Sequence, residues 1–201
     1  MARKFFTRCW KSDKGLAAVE FAFVLPIILA MLLGLVELSQ ALGIRASVIN
    51  MSSTGGDLIA QEATVKGTDL DGVFNALNAM LYPHDATQAS IVITSVIDGG
   101  TGLAPKVAWS CAAGKHPVKE TKNAAPSVPL PASLTLPNAP LESGKGGSVI
   151  WSRISYDYKS PLSYILVGTH IWSNDFYLKP RRVLQIPLSG SPSIAGSSCT
   201  T

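Results

Sequence analysis

The chain has 201 residues, the length of one modest domain with an appended segment, which excludes a large multidomain enzyme. Hydrophobic residues make up 47% and charged residues only 15%, compared with about 25% charged residues in an average soluble domain. Together with a mean hydropathy of +0.26, this composition excludes intrinsic disorder and indicates a membrane segment.

The net charge of +4 arises at the N-terminus. Five Lys or Arg residues and one Asp lie in residues 1–15, whereas the rest of the chain carries twelve basic and twelve acidic side chains. A nucleic-acid-binding protein carries a basic face on its folded domain, so we expect no nucleic-acid partner. Basic residues before an apolar segment instead predict a cytoplasmic N-terminus under the positive-inside rule.

Residues 16–36 predict a transmembrane helix. The sequence LAAVEFAFVLPIILAMLLGLV contains a single charge, Glu20. At 1.5 Å per residue it spans roughly 31 Å, enough to cross a hydrocarbon core of about 30 Å. A cleaved signal peptide ending at Ser39-Gln40-Ala41 is the alternative, although this apolar run is longer than the core of an ordinary signal peptide.

Helical spacing continues beyond the membrane segment, so we expect residues 37–82 to form a helical stalk outside the membrane. The sequence STGG at residues 53–56 predicts a break in this stalk, with Asp57 able to cap a restart. A second, short helix is expected after Thr68 or Asp69.

Strand patterns begin after Pro83 and predict an antiparallel sheet domain in residues 83–201. Residues 112–147 are rich in proline and lysine, which predicts a long exposed loop. The expected fold class is therefore α+β, with a long transmembrane helix, its stalk, and a small sheet domain with a Pro/Gly-rich loop. The expected strands are Ala89–Asp98, Val107–Cys111, Val149–Tyr158, His170–Lys179 and Val183–Leu188.

The sequence has no pattern typical of an active site. Its histidines, His84, His116 and His170, lie in separate segments, and Cys111 with His116 lacks the further ligands of a zinc site. Nucleophile elbows, dinucleotide-binding turns and phosphate-binding loops are absent from the sequence. We therefore expect a protein that is not an enzyme and needs no cofactor or metal.

The sequence KGLAAVEF at residues 14–21 resembles the processing site of type IV pilin-like proteins, and more closely that of the Tad (tight adherence) branch. In that family a short basic leader ends in Gly, here Gly15, and the fifth residue after cleavage is Glu, here Glu20. Residues 15–40 are similar to the N-terminal signature of TadE-like minor pseudopilins. Residues 154–182 are similar to the end of that family.

The resemblance implies a pilin-like minor pseudopilin that takes part in the assembly, initiation or tip of a Tad pilus. A prepilin peptidase removes the leader, residues 1–15, by cleavage between Gly15 and Leu16. The implied location is the bacterial inner membrane, with the N-terminus cytoplasmic and the C-terminal domain periplasmic, or an extracellular pilus. The implied partners are the lipid bilayer, other Tad major and minor pilins, and the inner-membrane assembly platform. The competing hypothesis is an uncleaved single-pass membrane protein whose ectodomain binds an envelope partner or a surface ligand.

Glu20, together with Phe21 in the same motif, is expected to act in assembly. A carboxylate at bilayer depth costs on the order of 2.5–3.5 kcal/mol and therefore needs a partner. Cleavage after Gly15 creates a new amino group on Leu16, and in related pilins this Glu is thought to pair with the N-terminal amine of a neighbouring subunit. The alternative is that Glu20 lies near the interface and reaches water.

Small or ring residues recur every four positions along the membrane segment. They lie on one helical face and predict close packing against other pilin helices. Chance is the alternative, because Ala and Gly are common in membrane helices. This small-residue row consists of Ala18, Ala22, Pro26, Ala30 and Gly34.

The expected topology divides the three cysteines. Cys9 lies in the leader, whereas Cys111 and Cys199 lie on the oxidising side of the membrane, where disulfides persist. An even pair favours a Cys111–Cys199 bridge that fastens the Gly/Ser-rich tail, residues 189–201, to the sheet. Two free thiols, or a bridge to another subunit, are the alternatives.

Overall fold

The computed structural model describes residues 16–160 and 170–200. Its helices and strands confirm the predicted α+β class, with a long apolar N-terminal helix followed by an antiparallel sheet domain. In chain order they are α1 (Leu16–Ala60), β1 (Val65–Lys66), α2 (Gly67–Ala79), β2 (Ala89–Ile97), β3 (Lys106–Gly114), β4 (Ser148–Tyr158), β5 (His170–Leu178), β6 (Leu188–Ser189) and β7 (Ser198–Thr200). Short 3₁₀ turns lie at Ala86–Gln88 and Ala132–Leu134.

The expected break in α1 at residues 53–56 is wrong, because α1 is one helix of 45 residues. Gly55 and Gly56 are buried inside it. A Cβ atom at Gly55 would lie 2.9 Å from Cδ1 of Leu77, and one at Gly56 would lie 3.3 Å from Cδ1 of Leu178. The two glycines therefore allow α1 to approach α2 and β5 closely, and tertiary packing outweighs their low helix propensity.

The end of α1 is held by the segment that follows β5. Asp57 forms an ion pair with Arg181 and does not cap a new helix. The backbone N–H of Arg181 donates to the carbonyl of Ala60 at 2.9 Å, which satisfies one of the last free carbonyls of the helix. The second short helix is confirmed as α2, where the Asp69 carboxylate accepts a hydrogen bond from the Lys66 backbone N–H at 2.9 Å.

The main sheet has five antiparallel strands in the order β5-β4-β2-β3-β7. Four of the five expected strands are confirmed, and Val183–Leu188 is the exception. Only Leu188 of that segment lies in a strand, and it pairs in parallel with Val65 of β1. Pro187 has no N–H for a ladder, and the carbonyl of Ile186 accepts a hydrogen bond from Trp109 Nε1 at 2.8 Å.

The two faces of the sheet have different covers, because alternate side chains of a strand point to opposite faces. Ile150 and Ile154 of β4 belong to the main core, which lies between the sheet and the two helices. Val149 and Trp151 of the same strand belong to a second, smaller cluster. The two helices therefore cover one face of the sheet, and loop residues cover part of the other face.

The expectation of an exposed loop at residues 112–147 needs correction. β3 extends to Gly114, and the segment after it packs partly against the second face of the sheet. Leu141 is buried there, and Leu130 and Leu134 pack beside it. Glu120 is also buried, and its carboxylate accepts hydrogen bonds from the backbone N–H and hydroxyl of Ser127 at 2.8 and 2.5 Å.

Candidate functional site

The first half of α1 extends away from the sheet domain with its apolar side chains exposed. Phe23, for example, is 76% exposed, which excludes the interpretation of this segment as the buried core helix of a soluble protein. Among the described residues, one helix, spanning Ala17–Ala60, is long and apolar enough to cross a membrane. α1 is therefore a candidate membrane anchor near the N-terminus.

The expected processing and assembly residues lie at the start of this anchor. Gly15 and the leader, residues 1–15 with Cys9, lie outside the described residues, and Leu16 is the first residue of α1. Glu20 is exposed on the helix, and Phe21 beside it is 59% exposed. Both side chains are therefore accessible to a neighbouring helix.

The small-residue row divides into two parts in the structure. Its first four members, Ala18, Ala22, Pro26 and Ala30, are exposed, and α1 continues through Pro26 without interruption. Gly34 is partly buried and lines a cavity between α1 and the sheet. The row thus offers a free face over the part of α1 that lies beyond the sheet domain.

Glu37, the first charged residue after the apolar segment, was missed by the sequence analysis. It is only 5% exposed and accepts a hydrogen bond from the Tyr158 hydroxyl at 2.8 Å. Burial, followed by the hydrogen bond to the Glu37 carboxylate, raises the pKa of Tyr158 to about 12. This contact joins α1 to the end of β4 across 121 residues of sequence.

A cavity of about 380 Å³ lies next to this contact, and we call it the junction cavity. One wall is the face of α1, and the other comes from the end of β4 and the start of β5. His170 packs edge-on against Trp172 with ring centroids 4.3 Å apart, and the Arg45 guanidinium lies 5.5 Å from the centroid of the Trp172 ring. The lining residues are Gly34, Glu37, Leu38, Ala41, Tyr158, His170 and Trp172.

The C-terminal tail is attached to the sheet by covalent and polar contacts. Cys111 and Cys199 form a disulfide at paired positions of β3 and β7. The Asp71 carboxylate accepts hydrogen bonds from the Ser193 hydroxyl at 2.6 Å and from the backbone N–H groups of Ser193 and Ile194 at 2.9 to 3.1 Å. These bonds hold the pKa of Asp71 below its usual range.

In the described parts of the chain, no group of three or more His, Cys, Asp or Glu side chains is placed to hold a metal ion. His116 lies in the segment after β3, whereas His170 lies at the start of β5, beside α1. The features with the clearest functional geometry are therefore the exposed apolar half of α1 and its junction with the sheet.

Comparison with known proteins identifies a family resemblance in the N-terminal region. Residues 15–57 match the family model described as TadE-like protein. No curated protein and no solved structure matches the chain. The matched region covers nearly all of α1, including Glu20, the small-residue row and Glu37. Over this N-terminal region, the chain is similar to TadE-like proteins of the Tad pilus family.

Proposed function

We propose that this protein is a minor pseudopilin that acts as a structural component in the assembly, initiation or tip of a Tad-type pilus. The observation that carries the proposal is the TadE-like match, which begins at Gly15 and covers a helix whose first half is exposed. Proteins of the TadE-like class are structural and not enzymes. The exposed first half of α1 is suited to packing against the helices of other subunits.

The proposal includes removal of the leader by a prepilin peptidase between Gly15 and Leu16. The protein then lies in the bacterial inner membrane, with its sheet domain in the periplasm, until it joins other Tad pilins on the assembly platform. The new amino group at Leu16 lies about one helical turn from Glu20, and an intersubunit pair between such groups would neutralise a costly charge in the bilayer.

Mass spectrometry of the protein from cells with an active prepilin peptidase tests the cleavage step. We expect Leu16 at the N-terminus. A terminus at Met1 or Ala2 would instead support the competing function, an uncleaved membrane anchor whose ectodomain binds an envelope partner. A start after Ala41 would indicate ordinary signal-peptide cleavage and would also contradict the proposal.

The variant Glu20→Gln tests the assembly step, because it keeps side-chain size and removes the charge. We expect normal membrane insertion and cleavage but loss of co-purification with other pilins and loss of piliation. Glu62→Gln is the matched control, since it makes the same chemical change at an exposed residue beyond the end of α1. Wild-type piliation in the Glu20→Gln strain would show that this carboxylate only reaches water at the interface.

A further inference from the structure

We propose that the junction cavity binds the ammonium headgroup of a membrane phospholipid, with the Glu37 carboxylate as the counter-charge. Phosphatidylethanolamine is the headgroup chemistry that fits. This site is distinct from the intersubunit pairing proposed for Glu20, and it does not require the protein to enter a filament.

The position of the cavity along α1 sets its depth in the membrane. Residues 21–36 carry no charged side chain, and Glu37 follows them directly. The end of an apolar span lies at the level of the lipid headgroups. The cavity-lining part of α1 extends from Gly34 to Ala41, about 10 Å along the helix axis. The cavity therefore begins where the acyl chains end and opens toward the sheet domain.

The charge of the cavity favours a cation. A carboxylate that is 5% exposed is costly unless it is paired, and the hydrogen bond from Tyr158 comes from a neutral phenol. Among the described residues, no ion pair includes Glu37. Arg45 lies two turns further along α1, over the Trp172 ring. An ammonium group would supply the missing positive charge, whereas an anionic headgroup would be repelled.

The walls of the cavity match the rest of such a ligand. Tyr158, His170 and Trp172 supply aromatic surface, and aromatic faces attract ammonium groups. Leu38 and Ala41 supply apolar surface on the side of α1. Tyr and Trp side chains are also enriched at membrane interfaces, where one end of the ring is apolar and the other is hydrated. A volume of about 380 Å³ falls within the range of small-molecule sites.

Native mass spectrometry of the full-length protein in detergent tests the proposal, with phosphatidylethanolamine or phosphatidylglycerol added at equal concentration. We expect the wild-type protein to retain phosphatidylethanolamine at least about tenfold better, a difference of roughly 1.4 kcal/mol. Glu37→Gln should abolish this preference, and Glu62→Gln should leave it unchanged. Equal retention of the two lipids by the wild-type protein, or an unchanged preference in Glu37→Gln, would overturn the proposal.

A second pair of variants tests the cavity without altering any charge. Apart from the two chain neighbours and the backbone of the same helix turns, no atom lies within 4 Å of a Cβ atom placed at Gly34 or at Gly43, so both positions of α1 accept a side chain. Gly34→Leu fills the junction cavity and should remove phosphatidylethanolamine binding, whereas Gly43→Leu lies outside the cavity lining and should not. The opposite result would be a Gly34→Leu protein with lower thermal stability but wild-type lipid retention. It would show that the cavity is occupied by protein side chains and not by lipid, and the proposal would be wrong.

Discussion

Glu37 and Tyr158 connect the middle of α1 to the sheet through one hydrogen bond of 2.8 Å. Both side chains are buried, so neither polar group gains full hydration in the folded protein. A hydrogen bond to a charged group contributes about 1.5–3 kcal/mol to stability. This hydrogen bond therefore adds to the packing of α1 on the sheet, and it joins two residues that only the folded chain brings together.

Tyr158→Phe is expected to lower the free energy of unfolding by roughly 1.5–3 kcal/mol at neutral pH, because it leaves the buried carboxylate without this donor. The wild-type protein should also show a specific alkaline response. The pKa of Tyr158 is about 12 in the folded protein and about 10 when unfolded, so its contribution is complete below pH 10 and is lost as the pH rises toward 12.

Denaturant unfolding of the detergent-solubilised protein between pH 8 and about pH 12 measures both effects. Tyr82→Phe is the matched control. It removes the same hydroxyl group from a tyrosine that is 87% exposed. An equal loss of stability with pH in wild-type and Tyr158→Phe proteins would contradict the assignment of the alkaline response to this hydroxyl.

At the scale of elements, α1 combines two different environments in one continuous helix. Its first half is exposed and apolar, and its second half packs against the sheet and α2 through the main core. Glycines in such a helix have opposite effects according to their surroundings. Gly43 has open space around it, whereas Gly55 lies where α1 approaches Leu77 of α2 and Ser152 of β4.

Matched leucine substitutions are therefore expected to act in opposite directions. Gly43→Leu should stabilise the protein by about 0.5–1 kcal/mol through helix propensity. Gly55→Leu gains the same propensity, but its Cβ atom meets Leu77 at 2.9 Å and the Ser152 hydroxyl at 3.2 Å, so overpacking of about 1–3 kcal/mol should exceed the gain. Thermal unfolding followed by circular dichroism measures both variants. Greater stability of Gly55→Leu than of the wild type would show that the helix can move away from α2.

At the scale of the whole molecule, the C-terminal tail is joined to regions that are distant in sequence. β7 forms the edge of the sheet beside β3, and Asp71 of α2 holds the preceding turn at Ser193. The disulfide between Cys111 and Cys199 closes a sequence separation of 88 residues. A Gly/Ser-rich tail with little apolar surface is thus kept on the sheet by one covalent bond and a set of polar contacts.

Replacement of both Cys111 and Cys199 by Ser is expected to destabilise the protein by up to about 4–5 kcal/mol, the value that the chain-entropy model gives for a loop of this length. Cys9→Ser, in the leader, is the control and should have no effect. Non-reducing peptide mapping of exported protein should yield a linked peptide containing both cysteines. Free alkylation of both thiols in that protein would contradict the pairing.

Much of this architecture follows from local sequence patterns. Apolar content over residues 16–36 predicts the exposed helix, because a run of this length has no polar face. Strand-like runs bounded by turn residues predict β2 and β3, and shared apolar faces predict β4 and β5. The sequence patterns failed where two signals competed. Gly55 and Gly56 by themselves predict a helix break, but α1 continues through them because they pack against the rest of the fold. Residues 183–188 have a strand pattern, but Pro187 lacks the backbone N–H that a strand ladder needs.

By itself, the sequence determined the long apolar helix, the α+β class and the resemblance at Gly15 and Glu20, because each depends on residues that are near neighbours in the chain. Only the tertiary structure decided which residues form the junction cavity. Glu37 and Tyr158 are 121 residues apart, and no periodicity or motif encodes a contact at that separation. The same reason applies to the loop around Leu141, because the sheet face that it covers is built from strands that are distant in sequence. Local propensity acts over a few residues, whereas burial of a carboxylate and the covering of a sheet depend on contacts that form only when distant segments pack together.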